Sequence, residues 1–140
     1  MHLEYLPAEA NGLYLKMDAM QNLSYWDALR GHDDNIERIR KALARWNLDH
    51  PLLRDRFPVE KFSTGMKRRL ALARLDLANA SGWLLDEPVY GLDAEAIVAF
   101  REQLSEHLKR GGLALIISHD LKAIEGLPCR SFQLSGGKLK

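Results

Sequence analysis

The sequence predicts an α/β fold with a helical front half and a back half built on a mostly parallel sheet with flanking helices. Two stretches carry apolar residues at the 3.6-residue period of a helix, from Ile36 to Trp46 and from Met66 to Leu77. From Trp83 onwards the pattern changes to short apolar runs separated by one long helical pattern. Strands that alternate with helices favour right-handed crossovers and a parallel sheet.

The front half is predicted to open on a strand and continue as helices. The strand is expected at Leu3 to Leu6, just before the break at Pro7. A helix is expected from Met20 to Leu29, and Gly31 ends it. In the next helix four apolar residues share one face at i, i+3, i+7 and i+10, namely Ile36, Ile39, Leu43 and Trp46.

The strongest helical pattern follows Phe62. Ser63 is a favourable N-cap, and a helix is predicted over residues 64–78. One face repeats apolar residues at i, i+4, i+7 and i+11, namely Met66, Leu70, Ala73 and Leu77. The other face carries three basic residues, Lys67, Arg68 and Arg74.

The back half is predicted to contain strands and one long helix. Residues 83–85 are a short apolar run that ends in acids, as expected of a buried parallel strand. Asp93 can cap the next helix, whose inner face carries Ile97, Phe100, Leu104 and Leu108. A second buried strand is predicted from Leu113 to Ile117, then a short helix near 121–125 and a last strand near 131–134.

Composition narrows the classes of function. The 140 residues suffice for one compact domain, and a 46% hydrophobic and 28% charged composition is ordinary for a globular chain. A net charge of +1 gives no reason to propose a nucleic-acid partner or an anionic membrane surface. Cys129 is the single cysteine, so no internal disulfide can form. No secretory signal and no membrane span are visible, and we expect a cytoplasmic protein.

Two adjacent carboxylates, Asp86 and Glu87, end the first buried strand of the back half. The C-terminal edge of a parallel sheet is where α/β folds bind ligands. One carboxylate could hold Mg²⁺ while the other polarises an attacking water. The competing interpretation is a pair of acids that simply leave the strand into solvent.

Ser118-His119-Asp120 follows the next strand and should emerge at the same edge of the sheet. There His119 could hydrogen-bond a γ-phosphate and orient the attacking water. A lone histidine at a strand end is also commonly a capping or core residue. Both interpretations remain open from these residues alone.

The start of the helix over 64–78 is a candidate anion site. Ser63 can cap it, Gly65 lets a ligand approach the backbone, and the free N–H groups carry the positive end of the helix dipole. The alternative is an ordinary capped helix with a solvated basic face. The tight turn Tyr90 to Asp93 directly follows the acid pair. Any one of these four features could arise by chance, but their order and spacing together are much harder to explain by chance.

These features together resemble the ATP-binding subunits of ABC transporters. Phe62 to Leu70 resembles the ABC signature in a Ser-Thr-Gly-Met-Lys variant, and Leu84 to Pro88 resembles Walker B. Gly91 to Asp93 resembles the D-loop, and His119 matches the switch histidine. Residues 6–17 resemble the Q-loop region. Within the family the similarity is strongest to the haem-exporter ATPases of cytochrome c maturation and to ABC-2-type exporters.

The resemblance implies a partial P-loop NTPase fold of the ABC ATPase type, with ATP and Mg²⁺ as cofactors. It implies a helical signature subdomain over about 15–80 and an α/β part over about 81–140. It assigns Mg²⁺ to Asp86, the general-base role to Glu87 and a γ-phosphate contact to His119. It also assigns cofactor contacts across a dimer interface to Ser63, Thr64, Gly65 and Asp93. The implied partners are a second ABC ATPase subunit and a membrane-spanning permease on the inner face of the cell membrane, with no nucleic acid.

Two departures from the family pattern bear most on activity. No G-x-x-x-x-G-K-[ST] phosphate-binding loop occurs in the 140 residues, and Ala8 stands where the Q-loop glutamine is expected. We therefore expect a truncated ABC ATPase domain that is inactive alone and prone to aggregate. The alternative function is a non-catalytic module that supplies its signature helix to the ATP site of a partner. A third possibility, a soluble ABC protein acting on ribosomes or DNA, is disfavoured by the near-zero net charge.

Overall fold

The computed structural model describes residues 1–9, 12–33 and 35–140 and contains a three-stranded parallel sheet. Its strands are β1 (Leu3–Leu6), β2 (Gly82–Asp86) and β3 (Leu113–Ile117), with β2 in the middle. The helices are α1 (Ala19–Leu29), α2 (Ile36–Arg45), α3 (Pro51–Arg54), α4 (Thr64–Leu77) and α5 (Ala94–Lys109). Single 3-10 turns occur at Val59–Lys61 and Lys122–Ile124. The predicted α/β class is confirmed.

The front helices form where the sequence predicts them. Asp18 and Gln21 form a capping box at the start of α1, and the Asn35 side chain caps α2. On α2, three of the four apolar residues predicted to share one face are buried, namely Ile39, Leu43 and Trp46. The fourth, Ile36, is exposed because it is the first residue of the helix.

Helix α4 is enclosed by its neighbours. It contacts α1, α2, α5 and β1, and the buried residues along it leave little of its circumference in solvent. The interpretation of Lys67, Arg68 and Arg74 as a solvated basic face is therefore wrong, because Arg68 and Arg74 are each only 3% exposed. The Arg74 guanidinium lies 3.3 Å from the Glu4 carboxylate and 4.2 Å from the Trp26 ring centre. Paired and stacked in this way, a guanidinium can be buried.

The two faces of the sheet differ in their cover. Leu6, Trp83 and Leu85 point to the face that packs against the helices and are buried. The other face carries side chains that are each more than half exposed, Leu3, Tyr5, Leu113, Leu115 and Ile117. We call it the open sheet face. The prediction of a buried strand at Leu113–Ile117 is thus correct for the strand and wrong for its burial, because β3 is an edge strand covered on one face among the described residues.

The C-terminal residues form a small hairpin. β4 (Leu134–Ser135) pairs antiparallel with β5 (Lys138–Leu139). Gly136 and Gly137 join them with φ values of 57° and 74°, the left-handed conformations that a tight two-residue hairpin turn requires. The predicted last strand near 131–134 is therefore wrong in its bounds, and the predicted helix near 121–125 is a single 3-10 turn.

An aromatic stack joins the end of α5 to β2. The rings of Trp83 and His107 lie 3.7 Å apart and almost parallel. The His107 Nε2–H donates to the Leu113 carbonyl oxygen at 3.1 Å. Gly112 lies so close that a Cβ there would come within 2.3 Å of the His107 ring. Burial lowers the pKa of His107 below its ordinary value of 6.5.

This burial predicts a loss of stability on mild acidification. Below pH 6.5 the unfolded chain takes up a proton at His107 before the folded chain does, so the free energy of unfolding falls as pH falls. We expect urea unfolding of the wild-type chain to lose more stability between pH 7.5 and pH 5.5 than that of His107→Gln. Glutamine keeps a side-chain N–H donor and does not titrate, and the other titrating groups cancel in the comparison. Equal losses in the two proteins would contradict the prediction.

Candidate functional site

The site is built where β2 and β3 end side by side. Asp86 is the last residue of β2, and its Cα pairs with that of Ile117, the last residue of β3. Glu87 follows with φ = 48°, a left-handed conformation that non-glycine residues rarely adopt. Its N–H donates to the Ile117 carbonyl at 2.8 Å. This turn of the chain directs the Glu87 side chain toward the residues that follow β3.

The Glu87 carboxylate is bound by both residues that follow β3. The Ser118 hydroxyl donates to Oε2 at 3.3 Å, and the His119 backbone N–H donates to Oε1 at 3.1 Å. The His119 ring Nδ1 also contacts Oε1. The Glu87 side chain is 20% exposed and that of His119 is 97% exposed. The pair therefore presents a half-shielded carboxylate and an imidazole that reaches into solvent.

Asp86 has the properties of a metal ligand. Its backbone carbonyl accepts a hydrogen bond from Arg68 at 2.8 Å. No hydrogen bond or ion pair within residues 1–9, 12–33 and 35–140 engages its half-buried carboxylate. Hard carboxylate oxygens next to other oxygen donors are the ligands that Mg²⁺ prefers. Asp86 would supply one such ligand, and because the described residues hold no group of three His, Cys, Asp or Glu side chains placed to bind a metal, the remaining ligands would be nucleotide phosphates and water.

Arg68 reaches from α4 to the strand ends and is 3% exposed. Its guanidinium donates hydrogen bonds of 2.7 to 3.2 Å to the backbone carbonyls of Pro7, Asp86, Glu87 and Pro88. Burial lowers the pKa of this group, and the nearby Asp86 carboxylate partly opposes that effect. The side chain thus ties the first turns of α4 to the residues that leave β1 and β2.

The start of α4 adjoins the turn after Pro88. The Ser63 hydroxyl accepts the Met66 N–H at 3.2 Å and caps the helix. A Cβ on Gly65 would lie 3.1 Å from the Gly91 carbonyl oxygen, so this contact between helix and turn favours glycine. Thr64, the first residue of α4, lines the cleft described next.

A cleft of 980 Å³ unites part of the predicted site. Thr64, Glu87 and His119 line it together with Ser118 and Arg68. Its lining also includes apolar side chains, those of Val89, Tyr90, Leu92, Ile97 and Ala123. Its volume lies at the upper end of the range for small-molecule binding pockets, about 300–1,000 Å³. Ser63, Gly65 and Asp86 adjoin this lining through their sequence neighbours.

Asp93 lies apart from the other predicted site residues. Its carboxylate accepts the Ala96 N–H at 2.8 Å and caps α5. It lines a smaller cleft of 190 Å³ with Trp46, Asn47 and Arg69. Within this chain its visible role is the helix cap, and its role at a dimer interface stays a prediction.

Two site residues were missed by sequence reasoning. Ser118 stood in the motif beside His119 without a role, although a hydroxyl at a strand end is a plausible donor to a neighbouring carboxylate. Arg68 was placed on the face of α4 away from the core. Its signal was the apolar run Leu70 to Ala73, which covers all sides of a helix and indicates a buried one.

Comparison with known proteins gives a consistent result. The family model described as "ABC transporter" matches residues 2–90. The chain is similar to the cytochrome c biogenesis ATP-binding export protein CcmA of Cupriavidus necator, with 39% identity over 80% of this chain and 48% of the relative. For the protein of the same name from Methylococcus capsulatus, the identity is 40% over 90% of this chain and 59% of the relative. CcmA 2 of Cupriavidus metallidurans is 38% identical over 83% and 54%.

The chain spans about half the length of the curated relatives it matches, with 48% of the first and 54% of the second covered. The part of the chain that the structure describes contains no helix with the length and apolar character needed to cross a bilayer.

Proposed function

The chain belongs to the ABC transporter family, and from that premise we propose that it is part of the ATP-binding and ATP-hydrolysing subunit of an exporter. The observation that carries the proposal is the Glu87–His119 pair on the cleft at the carboxyl edge of the sheet. The names of the relatives, which are ATP-binding export proteins of cytochrome c biogenesis, support a role in that process, and haem is proposed as the cargo on the resemblance of the sequence alone.

Glu87 is proposed to act as the general base. Its carboxylate can accept a proton from an attacking water while Ser118 and the His119 backbone hold it in one orientation. As an imidazolium, which carries an N–H on each nitrogen, the exposed His119 ring can donate to Glu87 from Nδ1 and to a γ-phosphate oxygen from Nε2. Asp86 would hold Mg²⁺, which when bound neutralises charge on the phosphate oxygens.

The start of α4 is proposed to serve a second subunit. Ser63, Thr64 and Gly65 place a helix N-terminus with its free N–H groups at the rim of the cleft, where they can contact ATP held by a partner. Asp93 would lie at the interface between the two subunits. We divide the chain into a helical signature part over about 15–80 and an α/β part over about 81–140. A permease would hold the subunit at the cytoplasmic face of the cell membrane.

The phosphate grip of the proposed site lies outside residues 1–140. No G-x-x-x-x-G-K-[ST] occurs among them, and the backbone N–H groups and lysine of such a loop supply much of the hold on the phosphates. A second candidate function rests on the capped N-terminus of α4 beside the cleft: a non-catalytic module that lends its signature helix to the ATP of another subunit. The two candidates differ in whether Glu87 contributes to hydrolysis.

Association with a loop-bearing subunit tests the proposal. The purified chain is mixed with the full-length Cupriavidus necator relative, with and without Mg-ATP, and analysed by size-exclusion chromatography and phosphate release. We expect co-elution only with Mg-ATP. We expect Ser63→Arg to lose it, because the large arginine side chain obstructs the helix N-terminus. Ser131→Arg, at an exposed residue far along the chain, is the matched control. Absence of any Mg-ATP-dependent association would exclude both candidate functions.

A further inference from the structure

The burial of Arg68 is exceptional for a cation and specific in its partners. The side chain is 3% exposed, and its guanidinium donates at least four hydrogen bonds to backbone carbonyls. A buried guanidinium needs this compensation because removal of its hydration is costly. The acceptors lie on two separate segments, one after β1 at Pro7 and one after β2 at residues 86–88.

These contacts fix the peptide groups on both sides of the Glu87 α-carbon. Its N–H is donated to the Ile117 carbonyl at 2.8 Å, and its C=O accepts from Arg68 at 2.8 Å. The residue meanwhile holds φ = 48°. A backbone in this sparsely populated conformation persists only where the surroundings determine it. From this conformation the carboxylate reaches Ser118 and His119.

We propose that Arg68 is a positioning residue for the Glu87 carboxylate. It acts through the backbone of residues 86–88, which it holds against the end of β1 and the start of α4. The inference rests on the proposed function in so far as Glu87 is the general base. It adds to that function a residue that acts on the general base indirectly, through the backbone.

Arginine has a geometric advantage over lysine in this role. A guanidinium presents its donors in a planar fork. It can therefore donate to the Pro7 carbonyl and, from its other N–H groups, to the carbonyls of residues 86–88. A lysine ammonium keeps the charge but offers three donors from a single atom. Arg68→Lys therefore retains much of the electrostatics and loses the span between the two segments.

Nuclear magnetic resonance of the nucleotide-free chain tests the inference. The ring and backbone amide resonances of His119 are recorded at one fixed pH, and Glu87→Gln defines their shift when the carboxylate contact is altered. We expect Arg68→Lys to move them toward the Glu87→Gln values and to add no further shift in the Glu87→Gln background. Arg69→Lys is the matched control, since it lies on the same helix and donates to the Trp46 carbonyl at 3.2 Å instead. It should leave the His119 signals in place.

The opposite results would overturn the inference. Unchanged His119 signals in a folded Arg68→Lys chain, or an equal shift in the Arg69→Lys control, would show that Arg68 does not position Glu87. If Arg68→Lys fails to fold, a measurement on the wild-type chain still tests the Arg68 contacts. Its Arg68 guanidinium should show separately resolved Nη protons with cross-relaxation to Pro7 and Pro88, and a single averaged signal would refute the contacts.

Kinetics separate this inference from the proposed function. In the mixed assembly, Arg68→Lys should lower kcat for ATP by about 10- to 100-fold with KM unchanged, since a small misplacement of a reacting group has an effect of that size. An unchanged kcat in an assembly that depends on Glu87 would overturn the positioning role. An assembly without turnover would count against the hydrolytic proposal alone, because the resonance experiment needs no nucleotide.

Discussion

Replacing Glu87 by glutamine is expected to lower ATP hydrolysis by a site containing this chain by about 100-fold or more, the usual contribution of a general base. Glutamine has nearly the same shape, and its amide oxygen can still accept from the His119 N–H that now donates at 3.1 Å. It cannot accept a proton from water at neutral pH. ATP binding should therefore persist while turnover is lost. Phosphate release and nucleotide binding, measured in parallel in the mixed assembly and corrected for turnover by the full-length partner alone, distinguish the two effects.

The control is Glu125→Gln, an exposed residue outside the cleft whose backbone carbonyl, not its side chain, accepts from Arg101. It should retain wild-type turnover. Full turnover in Glu87→Gln would show that the base lies elsewhere, and the chain would then serve only to lend its signature helix.

The second large effect concerns stability. Phe100→Ala should lower the free energy of unfolding by about 3–5 kcal/mol, the usual cost of truncating a buried phenylalanine. Phe100 lies on the inner face of α5 and is 0% exposed within the core between the helices and the sheet. Small domains are stabilised by only about 5–15 kcal/mol in total, so this single change should remove much of the stability. Urea unfolding at pH 7.5, where His107 is neutral, measures it.

Val98→Ala is the matched control for this experiment. It lies two residues earlier on α5 and is 55% exposed. A change at such a position should stay within about 0.5 kcal/mol. Equal midpoints for the two variants would mean that the inner face of α5 is not packed against the sheet.

Periodicity alone predicted the main elements of this fold. The capped helices at 64–78 and after Asp93 and the strands before Asp86 and Ser118 all form, because local capping and apolar spacing agree with the tertiary arrangement. The adjacency of Glu87 and His119 also followed from the sequence, because parallel strands end at one edge. The final hairpin was missed, because only one strand was predicted there, although Gly136-Gly137 is a strong two-residue turn signal.

The run Leu70 to Ala73 signals that α4 is buried, but the partners of Arg68 and Arg74 could not be read from the sequence. Their main acceptors are backbone carbonyls and one distant carboxylate, Glu4. Backbone acceptors are present in every sequence, so no residue type marks them. Only the enclosure of α4 on several sides brings them within reach.

The open sheet face has a consequence for strand registration. β3 is apolar at every position, Leu-Ala-Leu-Ile-Ile, so its hydrophobic pattern distinguishes poorly between the observed alignment and one displaced by a residue. The alignment is held at the two ends. At one end the Leu113 N–H bonds to Ser81 at 2.9 Å and its carbonyl to His107 at 3.1 Å; at the other the Glu87 N–H bonds to Ile117 at 2.8 Å. If either end loosens, we expect β3 to slide more readily by one residue, which would bring a neighbour of His119 opposite Glu87.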